Sequence, residues 1–245
     1  MEVINDLVGY NNMKIYQNDD WFRFSLESVL LPNFVTINPR YKNILDLCTG
    51  NIPIPLILSL RTKANIYGIE IQKDIYDLAV KTVEINNLNN QIKVINDDLI
   101  NLKSYFSNDF FDLITVNPPY FKNLEDSCKN DDIHKIYARH EVGTNLDDII
   151  SISSCLLKNG GRLALVHRTE RFFEIIKTLE KYHLCPKKIQ FIYPKVDKES
   201  NLFMIEAIKN GHDSVKFLNP LFVHNNDGTY TDTIERMFNL KREEL

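Results

Sequence analysis

The stretch NILDLCTGNIPIPLILSLR, at residues 43–61, decides the fold because it joins a predicted strand to a predicted helix through a short polar loop. Its first six residues are mostly apolar and end at turn residues, a pattern typical of a buried strand. Two prolines then open the helical run IPLILSLR. The next segment repeats this order, with the strand ANIYGIEI at residues 64–71 and a helix with a 3.6-residue apolar period. Such alternation predicts crossover connections and a mostly parallel sheet.

The rest of the chain extends this alternation. Five more strands are predicted, namely IKVIND, FDLITVN, RLALVHR, KIQFIYP and LFMIEAIK, and the helix LDDIISISSCLLKNGG is expected to close at its two glycines. We therefore predict a Rossmann-like α/β fold with a seven-stranded, mostly parallel sheet and helices on both faces. Residues 1–42 are predicted to form a short N-terminal extension packed on the core, with residues 43–245 as the main part of a single domain.

The net charge and the spacing of the cysteines limit the classes of function that the sequence allows. A net charge of -4 argues against a strongly basic coat for nucleic acid, but residues 161–200 hold nine Lys or Arg against five acids. Four widely spaced cysteines without a Cys-x-x-Cys pair predict free thiols in a reducing cytosol and no metal. No apolar run approaches the roughly 18 residues that span a bilayer. We expect a cytoplasmic monomer that does not bind a membrane.

Polar side chains end four successive predicted strands. Asp46 closes the first strand and Glu70 the second, Asp97 and Asp98 close the third, and Asn117 closes the fourth. In parallel sheets ligands bind across the carboxyl ends of the strands, where the strand order reverses. The sequence therefore predicts a ligand site at this edge.

The loop DLCTGNIPIPL favours a ligand without phosphates. Only Gly50 remains of a glycine-rich loop, because Cys48 and Ile52 stand where flanking glycines would let backbone amides approach a pyrophosphate. S-adenosylmethionine is such a ligand. Its methionine end would meet Asp46 and the backbone near Gly50, its ribose diol would meet Glu70, and its adenine would meet Asp98 or the adjacent backbone. An acid about 20 residues past the glycine loop also suits NAD.

The stretch ITVNPPYF, at residues 114–121, predicts a rigid shelf at a strand end. Proline donates no backbone hydrogen bond and holds the preceding residue extended. The side-chain oxygen of Asn117 and the carbonyl of Pro118 can accept both N–H bonds of a planar amine and aim its lone pair at a methyl donor. Tyr120 would stack on the ring that carries the amine.

The order and spacing of DLCTGN, GIE and NPPY resemble those of the Rossmann-like class I S-adenosylmethionine-dependent methyltransferases. NPPY is typical of the members that methylate planar nitrogens. Four segments make the resemblance specific to one family within this class, namely KIYQNDDWFRFSLESVLLPNF, NPPYF, ARHE and VHRTER. With them the chain is similar, over nearly its whole length, to the bacterial tRNA1(Val) (adenine-37-N6) methyltransferases. It departs from that pattern at Cys48 and Ile52, which replace glycines, and at Glu27, where an aspartate is expected.

This resemblance implies methyl transfer from S-adenosylmethionine to the N6 amine of an adenine in tRNA, adenosine 37 of tRNA1(Val). The expected catalytic residues are Asn117, Pro118, Pro119 and Tyr120. The expected cofactor site comprises Asp46, Cys48, Thr49, Gly50, Asn51, Glu70, Ile71, Asp97, Asp98 and Asn117. Contacts to the substrate are expected from Tyr120, Phe121, Arg139, Lys187 and Lys188, the two lysines because of the local positive charge.

Other functions remain open at this point. Release-factor glutamine methyltransferases also carry NPPY, and a glutamine amide presents the same planar nitrogen, but they usually have a larger N-terminal helical domain. DNA adenine methyltransferases are disfavoured because no sizeable target-recognition domain is evident. Because the loop DLCTGNIPIPL keeps only one glycine, the sequence also allows a catalytically weak RNA-binding relative of these methyltransferases. An NAD-linked oxidoreductase would leave NPPY without a role.

Overall fold

The computed structural model describes residues 2–7, 10, 13–18, 25–118 and 145–238, and within them a nine-stranded sheet lies between helices. The strands are β1 (Glu2–Asp6), β2 (Lys14–Asn18), β3 (Asn43–Leu47), β4 (Asn65–Glu70), β5 (Ile92–Asn96), β6 (Phe111–Val116), β7 (Leu157–Arg168), β8 (Leu184–Tyr193), β9 (Leu202–Lys209), β10 (Lys216–Phe217) and β11 (Leu221–Phe222). The helices are α1 (Glu27–Phe34), α2 (Pro53–Ser59), α3 (Lys73–Ile85), α4 (Leu146–Leu156), α5 (Phe172–Lys181) and α6 (Asp232–Met237). Two 3₁₀ turns span Leu99–Ser104 and Thr169–Arg171.

The strand order in the large sheet is β10-β8-β9-β7-β6-β3-β4-β5, with β11 also paired to β8. Strands β3 to β7 pair in parallel, whereas β9 runs antiparallel between β7 and β8. The predicted α/β class and its seven strands are confirmed. Two-residue strands carry no periodic pattern, so β10 and β11 were not predicted.

One predicted boundary was wrong. Helix α4 ends at Leu156 rather than at the glycine pair, and Leu157 already pairs with Phe111. The pairing then jumps from Leu157 to Arg162, which leaves four residues as an irregularity in β7. Gly160 takes a positive φ of 77° there, so this glycine serves a bulged strand rather than a helix end.

The two sheet faces pack against different helices. Ile44, Ile66 and Leu113 share a buried cluster with α1 and α2, whereas Leu45 and Ile114 share the other cluster with α4 and α5. Because side chains alternate along a strand, Asp46, Gly68 and Thr115, which lie opposite one another in register, project to the α1 and α2 face. The polar residues at the ends of β3 and β6 therefore lie on the side of the sheet that packs against α1, which precedes β3, and α2, which follows it.

The N-terminal elements contact this same face. Strand β2 is bound to α3 because the Asn86 side chain exchanges hydrogen bonds of 2.9 and 2.7 Å with the backbone of Lys14. The guanidinium of Arg61, after α2, donates to the carbonyls of Pro32 and Val35 at the end of α1. The C-terminal end of α1 is thereby fastened to the segment that follows α2.

A buried carboxylate fastens the same, C-terminal end of α1 to the sheet. Glu206 in β9 accepts hydrogen bonds from the Thr36 N–H at 2.7 Å, from the Thr36 hydroxyl at 2.9 Å and from Arg162 Nη1 at 2.5 Å. The ammonium of Lys188 lies 3.6 Å from its second oxygen. Glu206 is therefore the shared counter-charge of two partly buried cations.

Replacing Glu206 with Gln should lower the free energy of unfolding by about 3 kcal/mol, because it leaves both cations without their anion in a poorly hydrated site. Urea unfolding at pH 7 measures this. Glu199→Gln, at an exposed acid in the loop after β8, serves as the control and should change stability by less than about 0.5 kcal/mol. Equal midpoints for the two variants would contradict the assignment.

Candidate functional site

Asp46 lies at the centre of the carboxyl edge, fully buried in β3. Its two oxygens accept hydrogen bonds from the Thr49 hydroxyl at 2.6 Å and from the Thr115 hydroxyl at 2.5 Å. Burial raises the pKa of this carboxyl to about 7, although the two hydroxyl donors oppose the shift. Thr115 was not predicted because its partner is 69 residues away and only the register of β6 brings them together.

The loop after β3 takes the conformation of a glycine-rich loop with only one glycine. Cys48, Gly50 and Ile52 all have positive φ, at 54°, 57° and 75°. A β-branched residue is strained in this region, at a cost on the order of 1–3 kcal/mol. The fully buried Ile52 side chain packs in the α1 and α2 cluster, and this burial offsets the strain. Cys48 and Ile52 thus adopt, without being glycine, backbone angles that glycine adopts readily.

Gly68 is required beneath this loop, a role that the sequence analysis did not assign. A Cβ atom on Gly68 would lie 2.9 Å from both Cγ2 and Oγ1 of Thr49. A glycine inside a strand often marks such a close approach. Gly68 thus leaves room for the threonine that donates to Asp46.

Glu70 links the end of β4 to the loop. Its Oε2 accepts the Gly50 N–H and its Oε1 accepts the Gln72 N–H, both at 2.9 Å. Burial raises the pKa of this carboxyl, and the backbone donors oppose that effect. The Ile71 N–H and the Gln72 side chain also donate to this carboxylate, so hydroxyls of a ligand would share Glu70 with these donors.

The third strand end is partly used by the protein itself. Asp97 accepts hydrogen bonds from the Tyr105 hydroxyl at 2.6 Å, from Asn101 and from the Asp98 N–H, and these donors, Tyr105 foremost, lower its pKa. Asp98 begins the 3₁₀ turn and accepts the Ile100 N–H at 3.1 Å. Asp97 therefore holds the 3₁₀ turn together, and Asp98 caps its start.

Two exposed apolar side chains and one amide complete this side of the edge. Ile71 is 50% exposed directly after Glu70, and Ile100 is 52% exposed in the 3₁₀ turn. Asn96 donates to the carbonyls of Glu70 at 2.8 Å and Ile71 at 3.1 Å, which ties β5 to β4. Ile100 and Asn96 were not predicted, since neither belongs to a recognisable motif.

Asn117 follows β6, which pairs with β3, the strand that carries Asp46. Its Nδ2 donates to the hydroxyl of Ser28 at 3.3 Å, and Pro118 is buried. Ser28 is a further residue that the sequence analysis did not single out. Pro119, Tyr120, Phe121 and Arg139 lie outside the described residues.

The remaining predicted cofactor residues surround the loop. Asn51 is buried and donates to the Tyr16 carbonyl in β2 at 2.9 Å, so the separate antiparallel pair of β1 and β2 contacts this loop. Burial raises the pKa of the Cys48 thiol, with the carboxylates of Glu70, Asp46 and Asp98 adding to the shift. Cys48 is thus held as a neutral thiol. In the described ranges no three His, Cys, Asp or Glu side chains are arranged to hold a metal ion.

The two lysines expected to contact RNA lie elsewhere. Lys188 donates to the Phe34 carbonyl at 2.6 Å and the Thr36 hydroxyl at 3.1 Å, and its ammonium stacks on the Phe34 ring. Burial lowers its pKa. Lys187 contacts Ser214 at 3.3 Å. Lys188 therefore serves the end of α1 opposite to Ser28, three strands away from Asn117.

None of the helices described is long and apolar enough to cross a membrane.

Known structures share the fold at low sequence identity. A predicted O-methyltransferase from Agrobacterium tumefaciens superposes with a TM-score of 0.69 at 20% identity, covering 87% of this chain and 95% of that one. Geranyl diphosphate C-methyltransferase from Streptomyces coelicolor, solved with S-adenosyl-L-homocysteine, has a TM-score of 0.58 at 11% identity and covers 74% and 79%. These similarities show the class I methyltransferase fold.

Curated relatives match along most of their length. The tRNA1(Val) (adenine(37)-N6)-methyltransferase of Porphyromonas gingivalis is 27% identical over 240 residues, covering 95% of this chain and 93% of the relative. The protein of the same name from Haemophilus influenzae is 25% identical, covering 91% and 92%. A sequence profile of the N-6 DNA methylase family matches residues 57–181, just over half of the chain. This chain therefore belongs to the N-6 DNA methylase family.

Proposed function

We propose that this protein transfers the methyl group of S-adenosylmethionine to the N6 amine of an adenine in tRNA, with adenosine 37 of tRNA1(Val) as the target. The observation that carries the proposal is the position of Asn117, which ends β6 next to the buried acid of β3 at the point where strand order reverses. The names of the relatives support the choice of tRNA and of the nucleotide.

The residues at the carboxyl edge fit this cofactor. Asp46 is a buried carboxylate suited to the ammonium of the methionine end, and the carboxylate of Glu70, which its own donors share, is suited to ribose hydroxyls. Ile71 and Ile100 offer exposed apolar surface for the adenine ring, which would remove them from water. When bound, the cofactor supplies a methyl group on a positively charged sulfur.

The chain's own residues then have to orient the acceptor. The Asn117 side-chain oxygen and the Pro118 carbonyl would accept the two N–H bonds of the adenine amine, which turns the nitrogen lone pair toward the methyl group. The proton can leave after the nitrogen is alkylated, so no strong base is required. An unpaired base in an anticodon loop enters such a pocket at a low unstacking cost.

We place the RNA contact at the carboxyl edge. Arg168 ends β7 on the α1 face, because it lies an even number of residues beyond Ala164, which pairs with Thr115. Phe173, at the start of α5, is 76% exposed, and an exposed aromatic ring suits stacking on a base. Lys187 remains a candidate for a peripheral phosphate contact. A tRNA substrate also implies a cytoplasmic protein, and we propose that it acts as a monomer.

Incubation with labelled S-adenosylmethionine and total tRNA from a strain that lacks the activity tests the proposal, with nucleoside analysis of the product. We expect the label in N6-methyladenosine. Label in protein, with none in N6-methyladenosine, would instead favour a glutamine N5-methyltransferase. No transfer and no binding of S-adenosylhomocysteine at millimolar concentration would favour a catalytically weak RNA-binding protein.

A further inference from the structure

Ser28 contacts Asn117 from the first turn of α1. The serine is 4% exposed, and its hydroxyl oxygen accepts a hydrogen bond from Asn117 Nδ2 at 3.3 Å across 89 residues of sequence. The contact brings a side chain from the N-terminal extension to the residue that ends β6. The hydrogen bond is made by the side-chain amide of Asn117 and not by its backbone.

The direction of this hydrogen bond decides which atom of Asn117 faces a substrate. A carboxamide carries its acceptor and its donors on opposite sides, so engaging Nδ2 with Ser28 turns Oδ1 away from α1. An adenine amine needs an acceptor at this position, because a donor in the same place would face the substrate's own N–H groups. A rotation of the amide by about 180° would therefore replace attraction with repulsion.

We propose that Ser28 is a positioning residue that holds the Asn117 amide with its oxygen toward the acceptor amine. The assignment rests on the proposed function, because only a substrate with N–H groups requires this orientation. Ser28 does not touch the reacting atoms, so its effect passes through Asn117.

The position of Ser28 is itself well fixed. Its backbone N–H donates to the Ser25 carbonyl at 3.1 Å, and the far end of α1 is fastened by Arg61 and by Glu206. A rigid helix keeps the acceptor in place without help from a ligand. The site is therefore organised before substrate binds.

A second contact links the N-terminal extension to the cofactor loop through Asn51 and the Tyr16 carbonyl. The two contacts reach different halves of the site. Loss of the Asn51 contact should loosen the loop around Gly50 and raise the KM for S-adenosylmethionine. Loss of the Ser28 contact should instead lower kcat, since it leaves the loop intact.

Steady-state kinetics with tRNA separates these effects. Ser28→Ala removes the acceptor, Ser28→Cys keeps the volume with a weak acceptor, and Ser28→Thr keeps the hydroxyl. We expect kcat to fall about five- to tenfold for Ala and Cys, as for loss of one hydrogen bond, with recovery in Thr and the KM for S-adenosylmethionine within about twofold. Ser153→Ala, at a buried serine that bonds to the Ile149 carbonyl in α4, is the matched control and should keep wild-type kcat.

Nuclear magnetic resonance of the Asn117 side-chain NH2 gives a readout that does not need activity. In the wild type the two amide protons should be distinct and slow to exchange, and in Ser28→Ala they should exchange faster while the Ser153→Ala spectrum stays unchanged. Unaltered kcat together with unaltered amide exchange in Ser28→Ala would overturn the proposal. If the wild type methylates no RNA while its Asn117 amide exchanges more slowly than that of Ser28→Ala, the proposed function fails and only the hydrogen bond between Ser28 and Asn117 is established.

Discussion

Asn117→Ala should reduce kcat for methyl transfer by about 10²- to 10³-fold, the range observed when one preorganised polar group is removed from a transition state. The Asn117 side-chain oxygen would otherwise accept an N–H bond that strengthens as the amine nitrogen becomes tetrahedral. Binding of S-adenosylhomocysteine should change by less than about twofold, because Asp46 and Glu70 are untouched. Single-turnover assays with tRNA and isothermal titration measure the two quantities.

Asn65→Ala is the matched control for this substitution. Asn65 begins β4 at the opposite edge of the sheet and is exposed, so its removal should leave both kcat and cofactor binding at wild-type values. If Asn117→Ala retained more than about a tenth of wild-type kcat, the amide would not be the group that activates the amine.

Asp46→Asn should strongly weaken cofactor binding and stabilise the empty protein above pH 7. The folded-state pKa of Asp46 is about 7 and its ordinary value is 3.8, so the native state binds more protons than the unfolded state between these values. Stability conferred on the wild type by protonated Asp46 is therefore present at low pH and is lost as pH rises toward 7. Asn cannot ionise, and it can keep both threonine contacts because hydroxyls accept as well as donate.

The expected difference in unfolding free energy between Asp46→Asn and the wild type is near zero at pH 4 and rises to about 2–4 kcal/mol at pH 8. Urea unfolding of both proteins between pH 4 and pH 8 measures this difference. Other groups titrate alike in the two proteins, so their contributions cancel. Cofactor affinity should fall at least about a hundredfold, since the charge that meets the ammonium is gone. A difference in stability that does not change with pH would show that Asp46 is ionised normally.

Asp112→Asn serves as a control with the opposite sign. Burial of Asp112 acts to raise its pKa, but the hydrogen bond from Lys158 and the N–H groups of Asn43 and Lys42 prevail and lower it. Its stabilising effect is present above the ordinary pKa and is lost in acid. Asp112→Asn should therefore destabilise the protein at pH 8 while Asp46→Asn stabilises it.

The local pattern of the sequence was sufficient for much of the fold. Alternating apolar runs predicted the seven main strands, because strand and helix periods follow from side-chain geometry along a short stretch of chain. The polar residues at the strand ends, Asp46, Glu70 and Asn117, were also readable, since parallel strands all end at one edge. The helix end at the glycine pair was misplaced, because glycine serves a bulge as well as a helix terminus.

Only the tertiary structure decided which groups touch these residues. Thr115 and Gly68 support Asp46 and its loop through strand register, and Ser28 reaches Asn117 from a helix 89 residues earlier. The same holds for Lys188, which looked like a surface cation but is bound to α1 and Glu206. Sequence by itself determined which residue types stand at the strand ends, because that is local. Their orientation, protonation and partners depend on contacts between distant segments, which exist only once the sheet and its helices have packed.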